Sequence, residues 1–246
     1  MKILSFCLAG HFAAFRDPSI TTAQSVYYIP SKSAIIGLLG ALIGVQRDTN
    51  LGEIYGKEYL EIFSATKIGL SFNSKPKKVV FFTNHRSLKE PKTKPFKTEL
   101  VESPNYTIFV KTEEQIFERL EKAIKNNEYS FSPYLGHVYC PAIVSELQVH
   151  DAEETESNDK ITSCVILDES ETFQPDSTLF NLQPLDENNS RVIVERHLHH
   201  FILNGKLERR VLKHWIPVGG SFRIERDEKR KLSYFVRIKD KIVCLY

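Results

Sequence analysis

The sequence predicts an α+β fold. A ferredoxin-like (RRM-like) β-α-β-β-α-β domain spans residues 1–149, with a basic hairpin insert at 73–99, and a β-rich domain follows over 150–246. Three observations carry this. The element order outside the insert is strand, helix, strand, strand, helix, strand, which folds as an antiparallel sheet with both helices on one face. A helix free of charge follows the first strand. Past residue 150 only short strand-like runs and turn signals appear, among them Asn204-Gly205, the dipeptide of a type I′ hairpin.

Residues 2–9 read as a strand that breaks at Gly10. Residues 33–45 read as a helix, with Ser31 or Ser33 as the N-cap whose hydroxyl takes an orphan N–H. Gly37, Gly40 and Gly44 fall on one stripe of that helix. Each costs about 1 kcal/mol relative to alanine, so close approach of another backbone, from this chain or from a nucleic acid, is the expected offset. The run is far below the ~20 residues that cross a bilayer. Residues 59–72 read as a strand with a kink at Gly69, and 79–83 as a strand or hairpin arm. The prolines at 76, 91 and 95 argue against regularity throughout the insert. Residues 106–110 are the next strand. Residues 112–126 are the clearest helix: Thr112 caps, Glu113 and Glu114 suit the first turn, and Ile116, Phe117, Leu120 and Ile124 form one apolar face, ended by Asn126-Asn127. Residues 142–149 alternate like a strand with one wet face.

Further on, 151–160 reads as a loop, 161–167 as a strand and 171–190 as mostly irregular. Residues 191–203 and 206–216 flank the Asn-Gly turn, Val218 to Ser221 is another turn, and 233–237 with 241–245 form a last hairpin around Lys239-Asp240.

Charge is unevenly distributed. Residues 1–149 carry a net +4, residues 150–190 a net −10 and residues 191–246 a net +8. Such a division suits separate surfaces for an anionic ligand and for protein neighbours, or a plain solvated acidic loop. Four cysteines (Cys7, Cys140, Cys164, Cys244) without a CxxC pair argue against a zinc ribbon or a disulfide scaffold and for reduced thiols. Met1-Lys2-Ile3 opens directly into a strand-like run, so a cytoplasmic protein with no membrane partner is expected.

Two stretches suit nucleic acid. Before the glycine helix, Arg16, Ser25, Tyr27, Tyr28, Lys32 and Ser33 combine cations, hydroxyls and rings near a helix N-terminus, which favours anions. The same pattern also fits a tight turn with two tyrosines in the core. In the insert, Lys75, Lys77, Lys78, Arg86, Lys89, Lys92, Lys94 and Lys97 face one acid, Glu90, before its end. Each lysine that neutralises a phosphate adds a salt-dependent increment of affinity. Exposed apolar runs are expected near Phe81-Phe82.

The segment Gly10-His-Phe12-Ala13-Ala-Phe15-Arg16, then Ser25-Val-Tyr27-Tyr28-Ile-Pro30-Ser31-Lys-Ser33-Ala-Ile-Ile-Gly37-Leu-Leu-Gly40-Ala41, resembles the N-terminal signature of the CRISPR-associated protein 5 family. Pro95-Phe96, Glu99 to Tyr106, Tyr134-Leu135-Gly136-His137 and Cys140-Pro141-Ala142 extend the likeness, which covers residues 1 to about 148 and is similar to the type I-B branch. The resemblance implies a non-catalytic, cofactor-free subunit of a type I interference (Cascade) complex that binds the 5′ repeat-derived handle of the guide crRNA and caps the complex. It implies that the insert forms a thumb over that RNA, and it adds Phe12, Ser31 and His137 to the RNA-binding set. Partners by the same implication are the backbone subunit, the large subunit and, indirectly, target DNA.

The alternative is a metal-independent endoribonuclease processing precursor crRNA, the activity of one branch of that family. His137 and Tyr28 are the nearest candidates for the base and acid such a reaction needs. His197, His199, His200 and His214 invite a metal site. On a strand, however, His197 and His199 share one face and His200 takes the other, so no three are expected to converge locally. An assembly module whose basic surfaces meet acidic proteins is the remaining possibility.

Overall fold

A computed structural model describes every residue except 21–22, 48–55, 87–91, 157–159, 169–179, 186–190, 204–205 and 227–233. The elements in chain order are β1 (Lys2–Ala9), β2 (Phe12–Ala13), α1 (Lys32–Ile43), α2 (Lys57–Ala65), β3 (Lys67–Phe72), β4 (Lys77–Arg86), β5 (Thr93–Glu102), β6 (Asn105–Lys111), α3 (Glu114–Asn126) and β7 (Ile143–Asp151). Then follow β8 (Glu153–Thr155), β9 (Val165–Asp168), β10 (Phe180–Pro184), β11 (Arg191–Leu203), β12 (Lys206–Val218), β13 (Phe222–Arg226), β14 (Tyr234–Ile238) and β15 (Lys241–Leu245).

Strand β1 alternates, so Leu4, Phe6 and Leu8 point to one side and Ile3, Ser5 and Cys7 to the other. It lies inside a four-stranded sheet of order β3-β6-β1-β7, every pairing antiparallel. Leu4, Phe6 and Leu8 join Ile35, Ile36, Leu39 and Leu42 of α1 and Ile116, Phe117 and Leu120 of α3 in the main core. That core crosses residue 150, because Cys164, Ile166, Leu212, Ile216 and Tyr246 belong to it. The carboxyl-terminal strands reach the sheet edge through reciprocal Ile68–Tyr246 backbone hydrogen bonds of 3.0 Å and a 2.7 Å bond from Cys164 N–H to the Leu70 carbonyl. The long β11–β12 hairpin is present, with Asn204-Gly205 outside the described residues. The last hairpin, β14–β15, turns at Lys239. All four cysteines are buried free thiols.

Several expectations are corrected. Residues 57–65 form α2, not the start of a strand: Tyr59, Ile62 and Phe63 bury one helical face while Glu58, Glu61 and Ser64 face solvent. The insert is regular, with ten-residue β4 and β5 paired throughout. Pro95 is tolerated because β2 pairs with β5 only at Val101 and Glu102, which leaves the proline on an edge. Glu153–Thr155 is strand β8, paired with β14, where a loop was expected; a short edge strand with exposed acids is stable in that place. Strand β9 starts only at Val165, since Ser163 turns its hydroxyl to accept the Cys244 N–H at 2.7 Å. Helix α3 is entered from Glu113 without a side-chain cap, because the Thr112 hydroxyl is bonded to that of Thr66 at 2.9 Å.

Helix α1 is capped by the Ser31 hydroxyl, 3.3 Å from the Ala34 N–H. Its glycines do not admit another backbone of this chain. Gly44 is the left-handed C-cap at φ +81°, a Cβ on Gly40 would meet the Val45 carbonyl of the helix's own end at 3.1 Å, and one on Gly37 would meet nothing within 4 Å. Lys32 is turned inward, its ammonium 5.2 Å from the Phe63 ring centroid. Burial, then the neighbouring charge of Lys67, lowers it to about 7.

These packing details lead to two predictions. At Gly69 an added Cβ would lie 2.8 Å from both the Cys244 carbonyl and Val243 Cγ1. Chemical denaturation should therefore show Gly69→Ala destabilised on the order of 1–3 kcal/mol and Gly37→Ala stabilised by about 1 kcal/mol. Lys32 has a folded pKa below its unfolded value of 10.5, so the unfolded chain holds the extra proton and stability rises with pH from about 7 to 10.5. Thermal melts of Lys32→Met should show a gain over the parent that is largest below pH 7 and shrinks as pH approaches 10.5.

Candidate nucleic-acid interface

The segment between β1 and α1 is a folded-back loop held by its own backbone. Asp17 N–H bonds to the Ser25 carbonyl at 2.9 Å and Tyr27 N–H to the Phe15 carbonyl at 2.8 Å. Gln24 attaches beside β5 through Gln24 N–H to Lys97 O (2.9 Å) and Glu99 N–H to Gln24 O (2.8 Å). Inside this loop most hydroxyls are engaged. Tyr27 donates to Asp17 Oδ1 at 2.9 Å, and Ser25 donates to Glu99 Oε2 at 2.6 Å. Burial alone would raise the Asp17 carboxyl, but hydrogen bonds from Ser19 and Tyr27 outweigh it and hold the group below its ordinary value. Burial, then Asp17, pushes the Tyr27 phenol well up.

Glu195 of β11, absent from any sequence expectation, fastens the next residues. Its carboxylate accepts the Tyr28 N–H at 2.9 and 3.0 Å, lies 3.0 Å from His197 Nε2 and stands 3.7 Å from the Lys78 ammonium. The same ammonium sits over the Tyr28 ring at 4.1 Å, and Tyr106 donates its hydroxyl to the Tyr28 carbonyl at 2.7 Å. Burial, then Glu195 and Glu99, raises the Tyr28 phenol, so it is a neutral donor.

Next to this clamp, His214 of the neighbouring strand joins the two histidines that share one face of β11. His197, His199 and His214 form one buried row, because the β11–β12 register sets His214 opposite Glu195 on the shared inner face. Tyr27 stacks on His197 at 3.9 Å, the His197 and His214 rings lie tilted with centroids 4.2 Å apart, and His199 Nε2 lies 2.9 Å from His214 Nε2. Burial, then the charges of His197 and His199, keeps His214 well below its ordinary value. Among the described residues no group of three or more His, Cys, Asp or Glu has the geometry to hold a metal. The side chain of His200 lies outside the described residues.

What faces outward is a different set. Phe12 is 40% exposed and Arg16 is exposed. The loop 128–141 packs on this segment. Ala14 N–H bonds to Leu135 O at 2.9 Å, and Gly136, at φ +82°, has the Ala14 carbonyl occupying the place where a Cβ would stand. That docking presents His137 stacked on Tyr139 at 3.9 Å, with Tyr139 accepting from Gln24 Nε2 at 3.0 Å. Tyr134, part of the motif quoted for the resemblance, and Val138 and Tyr139, which no sequence expectation names, are all exposed here. A cavity of about 520 Å³ opens alongside, lined by Ser33, Gly37, Tyr59 and Tyr134.

The β4–β5 hairpin supplies the second surface. Cross-strand neighbours share a face, so Phe82 stands beside Lys97 on one face and His85 beside Lys94 on the other. Phe82 is 71% exposed, and Val80, Phe81, Arg86, Lys92 and Lys94 are exposed as well. Lys97 pairs with Glu99 at 3.1 Å. Lys89 lies outside the described residues. Of the sequence-derived binding set, Phe12, Arg16, Arg86, Lys92, Lys94, Lys97 and His137 thus lie at the surface, while Ser25, Tyr27, Tyr28, Ser31 and Lys32 serve the fold and Ser33 edges the cavity. His137 and Tyr28 have separate neighbours, Tyr139 for the first and Lys78, Glu195 and Tyr106 for the second.

No curated protein matches this sequence significantly. The structure is similar to that of a CRISPR protein from Archaeoglobus fulgidus, with TM-score 0.59, 12% identity and 99% of both chains covered. It is also similar to a chain of a CRISPR RNA-guided surveillance complex, with TM-score 0.51, 14% identity, and 90% of this chain and 91% of that one covered. Identities this low speak for a shared fold. The family model for CRISPR-associated protein (Cas_Cas5) matches residues 3–177, well over half of the sequence, and the chain belongs to that family.

Proposed function

We propose that the chain is a non-catalytic subunit of a type I-B-like CRISPR interference complex that grips the 5′ repeat-derived handle of the guide crRNA and caps the assembly. The observation that carries this is the β4–β5 hairpin, which stands rings and cations side by side on both of its faces. Single-stranded RNA is held by that combination: bases stack on the rings and phosphates meet the cations. In this reading the hairpin is the thumb over the RNA, and Phe12, Arg16, His137 and Tyr139 meet the handle where the two loops join. The strand order β3-β6-β1-β7, with α1 and α3 packed on one face, supports a ferredoxin-like, RRM-like domain over residues 1–149. Residues 150–246 are the β-rich domain that braces the handle loop through Glu195. The backbone subunit, the large subunit and, through them, target DNA are the proposed partners of a cytoplasmic ribonucleoprotein. Among the described residues no helix is long and apolar enough to cross a membrane.

The test uses purified chain and end-labelled repeat RNA with EDTA present. A native gel should show a shifted band that needs the handle sequence, and a denaturing gel should show the RNA intact. Arg16→Ala combined with Lys94→Glu and Lys97→Glu should weaken binding by at least about tenfold. The same variant should reduce the salt slope by roughly 0.7 for each phosphate it no longer neutralises. Unchanged affinity and slope would overturn the reading. Cleavage at one position would make the chain a processing endoribonuclease.

A further inference from the structure

The sheet face turned away from the helices is divided in two. At one end Ile3 and Phe109 pack against Val236, Ile238, Val243 and Leu245, so β14 and β15 cover an apolar floor. At the other end the floor is polar and lies beyond that apolar cover. Ser5, Ser71, Asn73, Thr107, Gln148 and His150 line a cleft of about 690 Å³ beneath the turns at 219–221 and 239–241. A volume of several hundred Å³ with a few convergent polar groups is the usual form of a small-ligand site.

Part of this floor is held rigid by its own bonds. Asn73 donates to Asn105 Oδ1 at 2.8 Å, Thr107 donates to Asn73 Oδ1 at 2.7 Å, and Ser5 Oγ lies 2.7 Å from His150 Nε2. Ser71 and Gln148 carry no side-chain hydrogen bond among the described residues, so their donors and acceptors remain open to a ligand. Phe109, on the same face as Ser71 and Thr107, closes the apolar end of the lining. Three lysines, 160, 239 and 241, stand at the mouth, and none is in an ion pair among the described residues. Glu146 and Asp240 are the acids that share the lining. Burial, then the charge of Lys239, lowers His150, which favours the neutral imidazole as a hydrogen-bonding group.

We infer that this cleft is a second subsite for single-stranded RNA, separate from the thumb, which takes one nucleotide with its base against the Ser71–Gln148 floor and its phosphate at the lysine mouth. The neutral amides and hydroxyls suit a base edge, and the cations suit the phosphate. This rests on the reading of the chain as an RNA-binding subunit, and no residue of the β4–β5 hairpin lines the cleft.

The experiment uses the full chain and a single-stranded octauridine carrying 4-thiouridine, with crosslinked peptides mapped by mass spectrometry and affinity followed by fluorescence anisotropy. Crosslinks are expected on the peptides containing Ser71–Asn73 and Gln148–His150. The exposed triple variant Lys160→Ala, Lys239→Ala, Lys241→Ala should weaken binding about tenfold and flatten the salt slope by up to about 2. Its melting temperature should stay unchanged, since these side chains are at the surface. The Lys94→Glu, Lys97→Glu variant should retain the cleft crosslinks at saturating RNA. Crosslinks confined to the hairpin and the 10–16 loop, or a triple variant with unchanged affinity and slope, would overturn the subsite while leaving handle binding intact. Cleft crosslinks from a chain indifferent to the handle sequence would support the subsite and remove the handle reading.

Discussion

The Glu195 carboxylate is the interaction on which the loop before α1 depends. It comes from β11, deep in the second half of the chain, yet its oxygens serve the Tyr28 backbone, His197 and Lys78 together. A carboxylate with a side chain only 10% exposed is costly to desolvate, and it is stable there because hydrogen bonds and a cation surround it. Its partners lie on three separate pieces: the loop before α1, the base of the hairpin and the strand it sits on. Fixing one carboxylate therefore fixes the position of the β4–β5 hairpin relative to the loop. The Tyr28 ring, held beneath Lys78, closes the arrangement.

Elements whose signals are local were legible in the sequence. Helix α3 showed its apolar stripe, and Asn127 does end it, in the left-handed conformation. Strand β1, the Ser31 cap and the β11–β12 and β14–β15 hairpins came from alternation, capping and turn chemistry. Helix α2 was misread because YLEIF satisfies both periods: it alternates enough to suit a strand while Tyr59, Ile62 and Phe63 also fall at i, i+3 and i+4. What decides between them is the partner surface, and α1 supplies it, 26 residues earlier through the Tyr59 hydroxyl and Ser33 carbonyl. The insert was underread for a related reason. A proline forbids a central strand but is harmless on an edge, and edge or centre is a property of the sheet.

The candidate site was legible in composition and much less so in orientation. Arg16, Lys94 and Lys97 are at the surface as their chemistry suggests, whereas Tyr27 and Tyr28, the most suggestive pair, are committed to Asp17, His197, Lys78 and Glu195. No rule of local spacing could separate these outcomes, since the groups that claim the tyrosines are distant in sequence. Tyr134 and Tyr139 show the converse. They are exposed because Gly136 lets loop 128–141 lie tight against Ala14, which leaves their rings no interior to enter.

Register ties these points together. Side chains on a strand alternate, so a slip of one residue in β11 would send Glu195, His197 and His199 outward together. An apolar face would tolerate such a slip more readily than this one, because Glu195 and one nitrogen of each imidazole have a partner here, although His197 Nδ1 and His214 Nδ1 are buried without one. His197 has Tyr27 and Glu195, and His199 has His214. Buried histidines packed in a row are a poor way to gain hydrophobic stabilisation and a good way to penalise wrong alignments, since a misplaced imidazole loses the one partner its ring nitrogen has. The polar row between the halves of the chain is thus the device that holds Glu195 opposite His214, and through Glu195 it sets the loop and the thumb from which the proposed RNA grip is built.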